Sequence, residues 1–409
     1  MKSNTRIQLS LMMFLEFFIW GGWFVTLGTF LGANLHADGG QIGQVFSTQS
    51  WGAIIAPFII GLIADRYFNA EKILGVLHLL GAGLMYLMYN ADNVSAFYPY
   101  TLLYMILFMP TLALVNSVSF HQMKNPEKEF SIIRVFGTIG WIVVGLLISY
   151  LFHWDSQENA AKGLLKNTFL MSGIASLVLG FLSFTLPKTP PTKKTGEKVS
   201  LKRILGLDAL KLLNDKNFAI FFIASILICI PLAFYYQIAN PFLLNIGLEN
   251  PTGKMTIGQA SEVIFMLALP VFFSRFGFKK TILVGMLAWA LRYVLFAYGN
   301  AGSLSYMLIL GIALHGVCYD FFFVSGQIYT NAKAGEAYKS AAQGLITLAT
   351  YGVGMLIGFK IAGMITDNYT TANGTDYKMV WLIPAIIAAA VFLLFAITFK
   401  EKKTKNTIE

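Results

Sequence analysis

Long apolar runs, separated by short polar segments, fill almost the whole chain. The runs reach about 20 residues or more, the length of a helix that crosses a bilayer. They do not show the alternating pattern of a membrane β-barrel. The pattern predicts an all-α membrane protein with twelve transmembrane helices, near residues 7–33, 42–64, 71–91, 95–120, 131–153, 165–186, 217–245, 255–275, 279–299, 303–329, 340–365 and 378–399.

One long polar segment, Leu186–Asn217, interrupts these runs near the middle of the chain. It carries eight Lys and Arg residues and includes a short amphipathic run, Ser200–Leu213. Six predicted spans precede it and six follow it. We therefore predict an N-terminal six-helix bundle (1–186), a basic cytoplasmic linker with an amphipathic helix (187–216), a C-terminal six-helix bundle (217–400) and a cytoplasmic tail (401–409).

Composition and charge support a membrane protein and give its orientation. Hydrophobic residues make up 56% of the chain and charged residues 12%, about half the charged share of a soluble domain. Of the 30 Lys and Arg residues, 23 fall in segments that are cytoplasmic if both termini lie inside. The positive-inside rule favours that topology. It explains the formal charge of +10 better than a nucleic-acid partner does, because the basic residues form no single patch.

Five charged residues lie well inside predicted spans: Glu16, Arg134, Glu262, Arg292 and Asp320. Each costs roughly 2.5–3.5 kcal/mol at the centre of a membrane helix. We therefore expect them to face one another or a wet cavity. Pairs that only hold helices together are the alternative interpretation.

Polar and aromatic residues recur at helical spacing beside these charges. The resulting stripes are Glu16/Trp20/Trp23, Gln44/Thr48/Trp51, Arg134/Thr138/Trp141, Gln259/Glu262, Gly316/Asp320/Phe323/Gln327 and Gln343/Thr347. They indicate a cavity with aromatic walls and carboxylate, amide and guanidinium groups between them. Such a site suits a planar, polar, uncharged solute that stacks and hydrogen-bonds. Aromatic residues that simply fill a helical bundle are the competing interpretation.

Several residue types offer little chemistry beyond these stripes. Cys229 and Cys318 fall inside apolar helices without metal-ligand spacing, and lone histidines such as His78 and His315 are more often structural than proton relays. We therefore expect neither a metal site nor a cofactor. No phosphate-binding Gly-Lys-Ser motif occurs, and no set of nucleophile, base and orienting group suggests an enzyme.

The short loops after the second and eighth spans resemble each other. The first includes Asp65 and Arg66, and the second includes Arg275 followed by Gly277. We expect these charges to lock helices together in one conformation. Two six-span halves, a basic middle loop and this loop signal together resemble the major facilitator superfamily, whose halves are repeats around a central site.

A more specific resemblance, to the nucleoside:proton symporters of that superfamily, runs along the whole chain. It rests on these segments: Trp20-Gly-Gly-Trp23, Met109-Pro-Thr111 with Asn116, Arg134-Val-Phe-Gly-Thr138, Leu205-Gly-Leu-Asp208, Gln259-Ala-Ser-Glu262, Leu291-Arg292-Tyr293 and Tyr319-Asp320-Phe321. The resemblance implies that a nucleoside site is lined by Arg134, Thr138, Gln259, Glu262, Tyr319 and Asp320. Trp141 and Phe323 extend it on the same stripes.

The chain departs from the family in two places. The two seventh-span residues that contact the nucleoside in the family fall on Ala233 and Tyr236, with Gln237 and Asn240 one turn further on. We include Tyr236 and Gln237 in the expected site. Where the family has Gln early in the first span, this chain has Glu16, which either takes part in proton handling or pairs with a nearby cation such as Arg134.

The resemblance implies uptake of nucleosides with protons by alternating access, in a bacterial cytoplasmic membrane. A buried carboxyl group can be neutral when loaded and ionised when empty. Asp320 and Glu262 are therefore the candidate coupling acids, with Arg134 and Arg292 as counter-ions and Glu16 as a further titrating group. We expect a monomer. The alternatives are a transporter of another solute, such as a sugar or a drug, and a non-transporting nucleoside sensor, which would need an output domain.

Overall fold

A computed structural model describes residues 3–60, 67–124, 126–191 and 207–400 of the chain. In the N-terminal half, α-helices cover Ser3–Phe24, Leu27–Asn34, Gly39–Phe46, Thr48–Ile59, Ala70–Tyr89, Val94–His121, Pro126–Leu146, Gln157–Ala161 and Asn167–Ser183. A π-helical turn at Leu147–Leu151 extends the fifth span, and a 3-10 turn at Leu164–Lys166 precedes the sixth.

In the C-terminal half, α-helices cover Lys216–Asn245, Pro251–Tyr298, Ser305–Ala313, His315–Tyr319, Ser325–Thr347, Met355–Asn368 and Tyr377–Thr398. A 3-10 helix at Leu207–Asn214 comes first, and π-helical segments lie at Asp320–Val324 and Leu348–Gly354. Two short antiparallel strands, Thr370–Thr371 and Gly374–Thr375, close the last loop, with Thr370 opposite Thr375.

Among the described residues, ten helices are long and apolar enough to cross a membrane. The longest, Pro251–Tyr298, is interrupted at Gly277, where φ 75° and ψ 176° are not helical. Glycine adopts this conformation at little cost, and the interruption lies between the predicted eighth and ninth spans. The second span, Gly39–Ile59, is described only as far as residue 60. The all-α membrane fold is confirmed, and the count of twelve spans stays a prediction.

Aromatic side chains pack the interior of both halves. Trp23 meets Tyr104 edge to face at 5.4 Å, and Trp381 stacks on Tyr293 at 5.5 Å. The outside of the bundle carries exposed aliphatic side chains, for example Leu267, which is 78% exposed. An apolar outer surface is the expected counterpart of a lipid bilayer.

The middle of the chain is described only in part. The described part of the predicted amphipathic segment forms the 3-10 helix Leu207–Asn214, in which Ala209 packs against Ala342 and Leu345. Residues 192–206, the tail 401–409 and the predicted lock residues Asp65 and Arg66 lie outside the described residues. The division into two bundles, linker and tail therefore stays a prediction.

Candidate functional site

Hydrogen bonds between the two halves cluster at the outer face, meaning the ends of the spans that the charge distribution places outside. Asp367, at the end of the eleventh span, accepts from the backbone N–H groups of Gly39 and Gly40 at 2.6 and 2.8 Å. These N–H groups begin the second span, where Asp38 and Gln41 form a capping box. A carboxylate at a helix N-terminus is favoured by the free N–H groups and by the helix dipole.

A matching contact joins the fifth and eighth spans. Asp155 accepts from the backbone N–H of Thr252 at 2.9 Å and from the Ser149 hydroxyl at 2.5 Å. Ser149 in turn accepts from the N–H of Gly253 at 2.6 Å. The fifth and eleventh spans, like the second and eighth, are equivalent in a six-plus-six repeat. Each half therefore places a carboxylate on a helix N-terminus of the other half.

Close helix packing accompanies these contacts. A Cβ atom on Gly39 would lie 2.6 Å from the carbonyl oxygen of Gly363, so the second and eleventh spans approach as closely as glycine allows. The buried amide of Asn240 also joins the halves, because it accepts from Thr29 at 2.6 Å and donates to Thr252 at 2.9 Å. The outer face is closed by these packed and hydrogen-bonded helices.

A small cavity of about 20 Å³ lies between the halves, beside the closed outer contact. Its lining includes three predicted site residues, Trp141, Tyr236 and Gln259. Gly21 of the first span lies against the Trp141 indole ring, where a Cβ would be 2.8 Å from it. The cavity therefore combines an indole ring, a phenol and an amide from both halves.

A second small cavity, of about 30 Å³, lies among the seventh, tenth and eleventh spans. Its lining includes the predicted residues Tyr319 and Phe323, together with Gln327, Gln343 and Thr347 from the stripes on the tenth and eleventh spans. The hydroxyl groups of Tyr319 and Tyr351 are 2.7 Å apart. The first cavity is lined by both halves, whereas the second is lined by the C-terminal half alone.

Arg134, on the fifth span, lies near residues of the C-terminal half. It is half-buried, and its guanidinium carbon is 4.1 Å from the centre of the Phe17 ring. Glu262 and Tyr319 of the other half lie within electrostatic range of it. Thr138, one turn further along the fifth span, is half-buried as well. The structure thus brings the predicted cation and the predicted acid Glu262 to the same central region.

Glu262 is held by a buried imidazole. Its Oε1 atom is 2.9 Å from Nε2 of His315, and Nδ1 of His315 is 3.0 Å from Nη1 of Arg292. The Arg292 side chain is fully buried, donates from Nε to the carbonyl oxygen of Gly311 at 3.1 Å, and lies 3.9 Å from the Tyr235 ring centre. Arg292 therefore reaches Glu262 through His315 and not by direct contact.

Glu16 belongs to a separate network inside the N-terminal half. Its carboxylate lies 2.9 Å from Nε2 of His78 and 2.5 Å from the Thr111 hydroxyl. Nδ1 of His78 is 3.0 Å from the Ser176 hydroxyl, and Glu16 is completely buried. The partner of Glu16 is thus His78 and not Arg134.

Asp320 is fully buried at the start of the π-helical segment Asp320–Val324. Neither of its carboxylate oxygens has a hydrogen-bond partner within the part of the chain that the structure describes. Glu262 lies within electrostatic range of it. The π-turn changes the helical phase after Asp320, so Phe323 lines the second cavity while Asp320 does not.

Gln237 is placed differently from its neighbour Tyr236. Its side chain is buried and donates to the carbonyl oxygen of Gly39 at 3.2 Å, so it lies in the closed outer contact. Arg275, the described member of the predicted lock, is exposed, with its guanidinium 5.9 Å from the Phe276 ring. Within the described ranges, no three His, Cys, Asp or Glu side chains group in a way that could hold a metal ion.

The outer carboxylates Asp155 and Asp367 are not among the residues predicted from the sequence, although a signal for them is present. Each follows the predicted end of its span by two residues, in the fifth and eleventh spans respectively. Equivalent positions in the two halves of a repeat are candidates for equivalent roles.

Comparison with known proteins gives one consistent result. Residues 3–404 match the family model described as nucleoside H⁺ symporter. The Escherichia coli (strain K12) protein YegT is 43% identical over 99% of this chain and 96% of its own length. Nucleoside permease NupG of the same organism is 31% identical over 98% of this chain and 97% of its own length.

Solved structures agree with these sequence matches. A crystal structure of nucleoside transporter NupG has a TM-score of 0.85 at 30% identity, covering 98% of this chain and 100% of that one. The POT family transporter PepTSo matches with a TM-score of 0.75 at 15% identity, over 97% of this chain and 98% of that one. The second match bears on the fold alone.

Proposed function

The chain belongs to the nucleoside H⁺ symporter family, and we propose that it takes up nucleosides together with protons by alternating access. It has the all-α fold of the major facilitator transporters. We place it in a bacterial cytoplasmic membrane as a monomer surrounded by lipid, with both termini inside. We assign it no enzymatic activity and no cofactor, with the proton gradient as its energy source.

The observation that carries this proposal is the central group formed by Arg134, Glu262 and Tyr319. It places a cation of one half within electrostatic range of an acid and a phenol of the other half. Aromatic side chains of both cavities offer faces on which a nucleobase can stack, worth ~1–3 kcal/mol per base. Guanidinium and carboxylate groups supply a donor and an acceptor for sugar and base polar atoms.

We propose that the nucleoside binds between Trp141, Tyr236 and Gln259 on one side and Tyr319 and Phe323 on the other. Arg134 and Glu262 then contact it from opposite halves. A ligand that bridges the halves favours the conformations in which they close around it, which is what alternating access requires. Thr138 supports the site as a neighbouring hydroxyl on the same helix as Arg134.

Asp320 is the proposed coupling acid. An ionised carboxylate without a partner is costly to bury, so Asp320 is suited to hold a proton in this conformation and release it in another. Moving one charge down ~150 mV supplies ~3.5 kcal/mol, enough for roughly 300-fold accumulation. A single proton per nucleoside is therefore sufficient.

The contacts of Asp155 and Asp367 form the proposed outer gate. They hold the outer face closed in this conformation, and solute entry from outside requires both to break. Gln237 and Asn240 lie in the same contact, so we assign them to the gate and not to the nucleoside site. Asp65, Arg66 and Arg275 remain the proposed lock at the opposite face.

Uptake into proteoliposomes tests the function. Radiolabelled nucleoside should accumulate when an inward proton gradient is imposed, and a protonophore should abolish the accumulation. Unlabelled nucleosides should compete, whereas sugars should not. Accumulation of a sugar or a drug in place of nucleosides would favour another solute, and binding without any uptake would favour a sensor.

A further inference from the structure

Arg292 determines which nitrogen of His315 carries the proton. A guanidinium group has only hydrogen-bond donors. Since Nη1 of Arg292 lies 3.0 Å from Nδ1 of His315, that ring nitrogen accepts and carries no proton. The other nitrogen, Nε2, then carries the proton of the neutral imidazole.

This tautomer of His315 makes Glu262 a hydrogen-bond acceptor. Nε2 of His315 is 2.9 Å from Oε1 of Glu262, so the imidazole N–H donates and the carboxyl oxygen accepts. The His315 side chain is 3% exposed and the Glu262 side chain 19% exposed, so the carboxyl group, unlike the imidazole, is partly accessible. The arrangement is a directed chain from Arg292 through His315 to Glu262.

Arg292 cannot easily turn away from this contact. Its Nε atom donates to the Gly311 carbonyl oxygen, and the Tyr235 ring lies 3.9 Å from its guanidinium carbon. The same Tyr235 ring stacks on His315, with centres 5.1 Å apart. A backbone oxygen and an aromatic face therefore fix both members of the chain.

The other buried carboxylate–imidazole pair lacks this constraint. His78 faces Glu16 through Nε2 and the Ser176 hydroxyl through Nδ1. The Ser176 hydroxyl donates its one proton to the backbone carbonyl oxygen of His78 at 3.0 Å, so it accepts from Nδ1–H of His78. The two pairs share an imidazole and a carboxylate, but only in the Glu262 pair does a donor-only guanidinium face Nδ1 and leave the proton on the nitrogen that faces the carboxylate.

We propose that Arg292 and His315 are positioning residues of the nucleoside site. They hold Glu262 as a hydrogen-bond acceptor, with one oxygen fixed by His315 and the other left for a hydroxyl or N–H donor of the solute. The inference rests on the proposed function, because it names the acceptor of that same site. It assigns specificity for a hydrogen-bond donor to residues that do not touch the solute.

Nitrogen-15 NMR of the full-length protein with labelled histidine tests the tautomer directly. His315 should show an unprotonated Nδ1 and a protonated Nε2, and His315→Gln identifies its signals. His121→Gln, at an exposed position, is the control and should leave those signals in place. An Nδ1–H tautomer or an imidazolium at His315 would overturn the proposal, whether or not the protein transports nucleosides.

Calorimetry with uridine and adenosine tests the effect on binding. His315→Leu removes the donor to Glu262 and should weaken the affinity of any nucleoside the parent binds by about tenfold or more. His315→Gln retains an N–H for Glu262 and should keep most of the affinity at a similar melting temperature. If His315→Leu folds and binds as tightly as the parent, the positioning role is wrong.

The NMR and calorimetry experiments distinguish a failure of the proposed nucleoside site from a failure of the proposed positioning role. A parent protein that binds neither uridine nor adenosine contradicts the proposed nucleoside site, while the NMR result still decides the tautomer. A parent that binds nucleoside but shows the wrong tautomer contradicts only the role of Arg292 and His315.

Discussion

The carboxylate of Asp155 in one half of the molecule accepts a hydrogen bond from the backbone N–H of Thr252 in the other half, at 2.9 Å. Asp367 repeats the arrangement in the opposite direction, on Gly39. Because the two contacts exchange the roles of the halves, they break together when the outer face opens. This pairing makes the outer gate testable with single substitutions.

Asp155→Asn and Asp367→Asn should each favour opening of the outer face. The amide keeps an acceptor oxygen but removes the negative charge from the helix N-terminus, worth roughly 0.3–2 kcal/mol. Spin labels can be attached at Lys162 and Asn373, in the outer loops of the two halves. The distribution of distances between the two labels should then shift toward longer distances. The double variant should show the larger shift.

Asp376→Asn is the matched control for the gate variants. Asp376 also caps an outer helix end, but it accepts from Met379 within its own half. Its substitution should leave the distance distribution unchanged. Equal effects of all three substitutions would indicate a general loss of charge and not a gate.

Asp320→Asn should abolish uphill accumulation of nucleoside but leave the exchange of nucleoside across the membrane intact. The amide cannot carry the proton but fits the same buried position. Comparing gradient-driven uptake with counterflow in proteoliposomes separates the two activities. Normal accumulation by this variant would move the coupling role to Glu262 or Glu16, and Glu262→Gln and Glu16→Gln are the next variants to measure.

Arg134→Lys should weaken nucleoside binding by roughly 1–3 kcal/mol, the scale of a hydrogen bond to a charged group. The planar guanidinium holds two acceptors at once, whereas an ammonium group does not. Calorimetry on the purified protein measures the change. Unchanged affinity would assign Arg134 to packing against Phe17 alone.

Glu16→Gln should preserve the thermal stability of the solubilised protein, because an amide can hydrogen-bond to both His78 and Thr111. If Glu16 also handles a proton, the variant should alter the pH dependence of uptake. Glu16→Leu is the contrasting variant and should lower the melting temperature, since two buried polar groups lose their partner. A Gln variant with a parent-like pH profile would restrict Glu16 to a structural role.

The ion pair of Asp215 and Lys333, 2.7 Å apart, predicts a pH effect at the start of the seventh span. The hydrogen bond from Lys333 and the backbone N–H of Phe218 lower the pKa of Asp215 below its usual 3.8. A lowered folded-state pKa stabilises the protein above the unfolded-state value and loses that contribution as the pH falls through the folded-state value. The effect is small because the pair is largely exposed.

Lys333→Met should therefore lower the melting temperature slightly at neutral pH. The difference from the parent should shrink as the pH falls below about 4, where the carboxylate becomes protonated in both proteins. Lys162→Met is the control, because its pair with Glu158 is exposed and joins residues only four positions apart. A difference that persists at low pH would show that Lys333 acts through packing and not through Asp215.

Much of the fold could be predicted because it follows from burial in a bilayer. The predicted seventh span, 217–245, agrees with the helix Lys216–Asn245, since its apolar run ends at polar residues on both sides. The break at Gly277 was also visible, because basic residues surround it. Both features depend on local composition and hydropathy, which the sequence contains directly.

The partners of the buried charges could not be predicted in the same way. Glu16 and His78 lie 62 positions apart on different spans, and helical periodicity gives the face of each residue but not the neighbour it meets. Arg292 was expected as a direct counter-ion of an acid, whereas His315 stands between it and Glu262. The way the helices pack in three dimensions determines these contacts, and the periodicity of the sequence does not contain that information.

The π-turn at Asp320–Val324 suggests how relatives of one fold can come to prefer different solutes. Such a turn holds one residue more than regular α-helix, so deleting a single residue there would restore a regular helix. The wider turn takes up the extra residue, so the flanking helices would stay nearly in phase and only the side chains within the turn would change the face they present. Gain or loss of one residue at this point is therefore a step by which evolution, or an engineer, could replace the side chains facing the cavity without any substitution.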